Sequence, residues 1–197
     1  APPLHGDCRG FDPLFGHMKQ LFPANFYTKF QAPNKKEFID ALNADSGEDC
    51  NYNWSALCDV KTSRLKATNY LDYLVPSFDI LSERLHYNGG YHFDDPWLNS
   101  YSRGSFQEVH DHFPWDLACV FFLNDEQGFS KFYFKDRNNV NYSPGLQDNL
   151  IWYVSPVTID TMPGDIMFFP AHMLHGVTPH KSDVVRKTFS TNINFTK

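Results

Sequence analysis

From about residue 90 to its end the chain offers one short apolar run after another, each closed by turn residues, with no helical periodicity between them. The runs span 95–102, 105–110, 116–123, 130–135, 149–154, 157–160, 165–169, 174–178 and 185–195, and a polar loop rich in Asn, Pro and Gly covers 136–148. So many consecutive strands without intervening helices can bury their apolar faces only against each other. A sandwich or jelly roll is therefore expected. Nineteen Phe, ten Tyr and four Trp suit that body and predict an aromatic-lined cavity, because rings pack well on pleated, half-buried surfaces.

The first ninety residues read differently. Residues 1–33 are an irregular lead-in rich in Pro, Gly and Phe, with a short strand near "NFYTKF". "NKKEFIDALNADSG" predicts a short helix capped by Asn34, with Phe38, Leu42 and Ala41 on one stripe. Residues 46–61 read as a polar loop carrying Tyr52 and Trp54. "SRLKATNYLDYLVPSFDILSERLHYNGG" places Leu65, Leu71, Leu74, Phe78, Leu81 and Leu85 at helical spacing. Pro76 should break or kink that helix and Gly89-Gly90 should end it. The lead-in cannot bury its stripe alone, so one domain over 1–197 is expected: supporting elements in 1–90 and a jelly-roll core in 91–197.

A formal net charge of -6 and no dense Lys/Arg run argue against general nucleic-acid binding. No apolar segment approaches the roughly 20 residues needed to cross a bilayer. The first residues show no charged-then-apolar signal pattern, so a trimmed end and a cytoplasmic location are expected. Cys8, Cys50, Cys58 and Cys119 form no CxxC pair. Cys50 and Cys58 can cross-link in principle, but reduced thiols fit a cytosolic protein better, and Cys119 reads as a small buried side chain. Oligomeric state is not legible.

The chemistry concentrates at His110-Asp111-His112 and at a later segment, "PGDIMFFPAHMLHGVTP", that carries His175. Alternation along a strand puts His110 and His112 on one face and Asp111 on the other. Two imidazoles there and a third from a neighbouring strand can hold a divalent metal while leaving coordination positions open. His172 is the rival third ligand, but it sits in a turn. Glu108, on the same face of a regular strand, is a candidate fourth ligand or imidazole-orienting partner. Distortion of the strand would instead bring Asp111 to the metal. The remaining histidines, His5, His17, His86, His92 and His180, converge on nothing. Imidazoles suit iron, zinc or copper better than magnesium or calcium. Arg186, on the last strand, either forms a salt bridge to Asp165, Asp183 or another carboxylate, or clamps a dicarboxylate cosubstrate. Thr188 and Ser190 share its face.

At these residues the chain resembles the Fe(II)/2-oxoglutarate-dependent oxygenases, and most of all their prolyl-hydroxylase-like branch in bacteria, phages and marine microbes. "LFPANFYTKF" resembles that group's opening strand. "WLNSYSRGSFQEVHDH" resembles its Trp-x-Asn strand leading into His-x-His, and "PGDIMFFPAHMLHGVTP" with "VVRKTFSTNINF" resembles its metal turn and Arg-bearing last strand. The likeness runs from about residue 20 to the end, without 40–60 and 135–150.

The resemblance implies a mainly β fold with supporting α: a double-stranded β-helix, the cupin-like jelly roll, with helices packed on one face. It implies that His110, His112 and His175 hold Fe(II), that Arg186 binds the distal carboxylate of 2-oxoglutarate, and that Tyr101 offers it a hydroxyl. Ascorbate would serve as a supporting reductant. The broad superfamily has Asp or Glu where this chain has His112, which leaves the site one negative charge fewer. Histidine is also too large to admit a halide, which argues against halogenation. Trp97, Asn99 and Trp115, with Phe113 and Phe169, are the substrate-pocket candidates. The expected reaction is hydroxylation of a C–H bond in a peptide or small molecule, with release of succinate and CO2. Two other readings stand beside it: a three-histidine cupin-type dioxygenase that does not use 2-oxoglutarate, and a non-catalytic jelly-roll binding protein.

Overall fold

The structure, a computed structural model, describes residues 25–45, 47–49, 60–65, 69–137 and 156–196. The expected strand 149–154, the loop aromatics Tyr52 and Trp54, and Cys8, Cys50 and Cys58 lie outside the described residues. Two antiparallel sheets form the body. The larger has the order β1 (Thr28–Gln31), β10 (Asp165–Pro170), β7 (Leu117–Phe122), β12 (Arg186–Thr196), β5 (Trp97–Tyr101), β3 (Lys61–Arg64), β2 (Glu48–Asp49), with β4 (Gly90–Phe93) also paired to β12. The smaller runs β6 (Gln107–His110), β11 (His175–Val177), β8 (Phe132–Phe134), β9 (Val157–Ile159). This is the expected jelly roll, a double-stranded β-helix.

Alternation along the central strands sorts their side chains between two cores. On β7 and β10, Leu117, Cys119, Phe121, Ile166 and Phe168 point outward and meet α1 (Lys35–Ala44) and α2 (Leu71–Leu85) through Phe38, Leu42, Leu74, Phe78 and Leu81. Ala118, Val120, Phe122, Met167 and Phe169 point inward and meet Phe132, Phe134, Ile159 and Val177 of the smaller sheet. β12 obeys the same rule. Phe189 and Ile193 join the helix-side core, which turns Arg186, Thr188, Ser190 and Asn192 toward the space between the sheets. Burial in the outer core pushes the Cys119 thiol far above its usual range, so it stays protonated and acts as a small apolar group.

Several expectations need correcting. Leu65 does not begin the second helix; residues 61–64 form β3, and α2 starts at Leu71. Pro76 sits inside α2 without ending it. Proline removes one backbone hydrogen bond there, but Leu74, Ser77, Phe78 and Leu81 are all buried against the sheet, and that packing outweighs the loss. The helix ends at His86, which takes the left-handed conformation (φ 52°), rather than at Gly89-Gly90. Gly90 instead opens β4, pressed so close to Thr196 that a Cβ would lie 2.3 Å from its hydroxyl oxygen. Asn34 occupies the N-cap of α1 but makes no side-chain cap hydrogen bond.

Candidate active site

β6 and β11 run antiparallel with His175 directly opposite His110. His112 follows just past the end of β6, fixed by a 2.8 Å hydrogen bond from its amide to the Ala171 carbonyl. These turns bring one ring nitrogen from each of His110, His112 and His175 within 4.8 Å of the others. Each ring is held from behind. His110 Nδ1 donates to the Glu108 carbonyl (2.7 Å), His175 Nδ1 to the Met173 carbonyl (2.9 Å), and His112 Nδ1 to Asn192 Oδ1 (2.6 Å). Carbonyl oxygens only accept, so the proton sits on Nδ1 in all three rings and Nε2 keeps a lone pair for a metal. Burial also keeps the rings uncharged. It pushes His112 down to about 4, against the opposing pull of the Asn192 hydrogen bond, and lowers His110 and, further, His175. Neutral imidazole is the form that ligates.

The rival ligands are placed elsewhere. Between the pairs His175–His110 and Val177–Gln107, β6 carries one residue more than β11. That bulge breaks the alternation on which the placing of Glu108 depended. Gln107 turns into the cavity, while Glu108 lines an outer groove beside Tyr133 and Lys135 and holds the His110 ring through its main-chain carbonyl. Asp111 points away from the cluster into an ion pair with Arg137, and it accepts a hydrogen bond from the Phe113 amide. His172 is exposed. His180 is a core residue: Nδ1 accepts from the Ser130 amide and Nε2 donates to the Val184 carbonyl.

Opposite the histidines stands the inward face of β12. Arg186 pairs across the ladder with Tyr101, Thr188 with Asn99, and Ser190 with Trp97, and all six line the cavity that the three histidines close. Arg186 is only 2% exposed, with its guanidinium carbon 5.0 Å from the Tyr101 ring centre and 5.5 Å from that of Phe122. Both terminal nitrogens are buried and lack a hydrogen-bond partner among the described residues. The carboxylates considered as structural partners are engaged elsewhere, Asp165 with Lys29 at 2.6 Å and Asp183 with Arg103 at 2.6 Å. Burial lowers the Arg186 pKa, with Tyr101 and Asp125 pulling the other way. A buried guanidinium with two bare N–H ends is costly unless an anion meets it. Beside three neutral imidazoles, this is a donor set that fits a metal and a dicarboxylate together. Tyr101 donates its hydroxyl to Gln107 Oε1 (2.9 Å), and Thr62 donates to Asn99 Oδ1 (3.0 Å).

Of the substrate-pocket candidates, Trp97 and Asn99 line the inner cavity. Trp97 and His112 are shared with an outer pocket of about 290 Å³ that Trp115 and Phe113 also wall. Phe169 lines neither; it is fully buried, with its ring centre 4.8 Å from that of His175. Residue-by-residue reading missed Gln107, Asn192 and Thr62. Asn192 was within reach, since it continues the alternation of Arg186, Thr188 and Ser190.

Residues 95–192 match the family model described as "Putative 2OG-Fe(II) oxygenase". The chain belongs to the 2OG-Fe(II) oxygenases. As an oxygenase of this kind it works with Fe(II) and 2-oxoglutarate. Solved structures share its fold at low identity. A 2OG-Fe(II) oxygenase family oxidoreductase from Burkholderia pseudomallei has a TM-score of 0.62 at 13% identity, over 85% of this chain and 84% of that one. A prolyl-4-hydroxylase from Pseudomonas putida has a TM-score of 0.60 at 12% identity, over 85% and 92%. HygX from Streptomyces hygroscopicus, bound to nickel, 2-oxoglutarate and hygromycin B, has a TM-score of 0.62 at 8% identity, over 85% and 82%. No curated protein matches the oxygenase in sequence. Among the described residues no helix is long and apolar enough to cross a membrane.

Proposed function

We propose that this oxygenase is a C–H hydroxylase whose Fe(II) is held by His110, His112 and His175 and whose 2-oxoglutarate is anchored by Arg186. Bound together, the metal and cosubstrate would couple O2 reduction to decarboxylation, converting R–H, O2 and 2-oxoglutarate into R–OH, succinate and CO2. The chain's own residues position and insulate. The imidazoles present Nε2 because main-chain and amide carbonyls hold their Nδ1 protons. Arg186 presents two N–H groups to the far carboxylate, with the Thr188 and Ser190 hydroxyls on the same face. Gln107 accepts from Tyr101 and so orients that hydroxyl beside the guanidinium. Val120 and Phe132 wall the cavity with apolar surface and keep water out. No side-chain acid or base is needed.

The bare guanidinium carries this reading, because two buried N–H groups beside the metal cluster call for an anion and suit the far carboxylate of a dicarboxylate. The substrate is a peptide or small molecule, and residues 1–197 act as one domain. Anaerobic addition of Fe(II) and then 2-oxoglutarate should produce a weak visible charge-transfer band. Its absence, together with no succinate under O2, would rule the assignment out.

A further inference from the structure

The outer pocket, which the roles assigned above leave unused, opens onto the histidine cluster through His112 and Trp97. Three rings wall it: Trp97, Phe113 and Trp115. Phe113 is 79% exposed, a large apolar surface left in water at the mouth. Asp94, Asp95 and Asp111 add carboxylates to the same walls. Their charges are unequally compensated. Arg137 neutralises Asp111, and Arg64, also on this wall, has a partner of its own. Asp94 and Asp95 form no ion pair among the described residues. Their field reaches Tyr70, whose hydroxyl pKa is raised first by burial and then by Asp95 and Asp94. Ring faces carry negative potential, and so do these carboxylates; both attract a cation and repel an anion.

We propose that the substrate bears a cationic nitrogen, an ammonium or its alkylated equivalent, seated between the Asp94 and Asp95 carboxylates and the Trp97, Phe113 and Trp115 rings. This rests on the hydroxylase reading, since it is the adjoining metal cluster that makes the outer pocket a substrate pocket. A neutral substrate would strip water from the two carboxylates without replacing it, whereas a cation takes over that role. A ring-face contact and a half-exposed ion pair are each weak in water and contribute about threefold apiece, so charge should improve binding about tenfold.

The test uses the full chain with Fe(II) and 2-oxoglutarate, held anaerobic, and reads tryptophan fluorescence. One arm compares putrescine with diacetylputrescine; the other compares a lysine-bearing hexapeptide with its Nε-acetyl-lysine form. A roughly tenfold preference for the charged member is expected in at least one arm, weakening with added salt. Preference in the first arm makes the source a free amine; in the second, a basic side chain. The near-isosteric double variant Asp94→Asn/Asp95→Asn, its folding checked by its melting curve, should cut the ratio to about threefold, the share left to the rings. Equal binding of charged and acetylated members in both arms, or a ratio the double variant leaves unmoved, overturns the proposal. A missing charge-transfer band with the ratio intact would instead overturn the hydroxylase reading alone.

Discussion

Arg186 and Tyr101 face each other across the β12–β5 ladder, the guanidinium carbon 5.0 Å from the ring centre, while the Tyr101 hydroxyl is spent on Gln107. The ring offers the cation its face and the Tyr101 oxygen pulls the guanidinium pKa upward, yet both terminal nitrogens lack a hydrogen-bond partner among the described residues. Such an arrangement sacrifices folding free energy for a site that is ready before its anion arrives.

That trade has two opposite signatures. Arg186→Met should raise the melting temperature of the cosubstrate-free protein, because replacing an uncompensated buried charge with an apolar chain stabilises by about 1 kcal/mol or more. The same change should raise the 2-oxoglutarate KM by about a hundredfold or more, the equivalent of losing a charge-assisted double hydrogen bond. Thermal denaturation and succinate assays read the two effects separately. A lowered melting temperature would mean that the arginine serves folding.

His110 and His175 give their Nδ1 protons to main-chain carbonyls, whereas His112 gives its proton to the side chain of Asn192. Asn192→Ala should weaken metal binding by roughly 10–100-fold, as loss of a ligand's outer partner usually does. Asn192→Asp should restore or strengthen it, because a carboxylate makes the His112 ring a better donor. Competition against a chromophoric chelator measures both.

Asp111 sits between two of the histidines yet turns outward to Arg137. Asp111→Ala should therefore leave metal affinity within a few-fold, whereas His110→Ala should abolish specific binding. A loss of similar size in both, measured by calorimetric titration, would show that the carboxylate reaches the ion.

Acidity should destabilise the metal-free protein early. Burial holds His110, His112 and His175 below the ordinary imidazole value of 6.5, His112 at about 4, so the unfolded chain takes up protons before the folded one does. Stability is full above about 6.5 and falls as the pH drops toward 4. Melting temperatures of the apoprotein between pH 7.5 and 4.5 should decline across that window. They should decline less in a His112→Asn variant, which has one such group fewer.

Much of this was legible in the residues themselves. Alternation along "LACVFF" and "DIMFFP" assigns two faces to each strand whatever its neighbours, which is why the jelly roll and the inward row of Arg186, Thr188 and Ser190 could be read directly. Local chemistry likewise marked His110, His112 and His175. What it could not supply were decisions made between distant segments. The bulge that exchanges Gln107 for Glu108 exists only because β6 pairs with β11 out of step. Pro76 is tolerated because the sheet beneath α2 outweighs its missing hydrogen bond. Asp111 is withdrawn by an arginine 26 residues further along the chain, and Asp165 and Asp183, the carboxylates expected of Arg186, pair instead with Lys29 and Arg103. Side-chain type and strand period are properties of a segment alone; register, competition for partners and burial arise only once segments meet, and they decided which groups face the cavity.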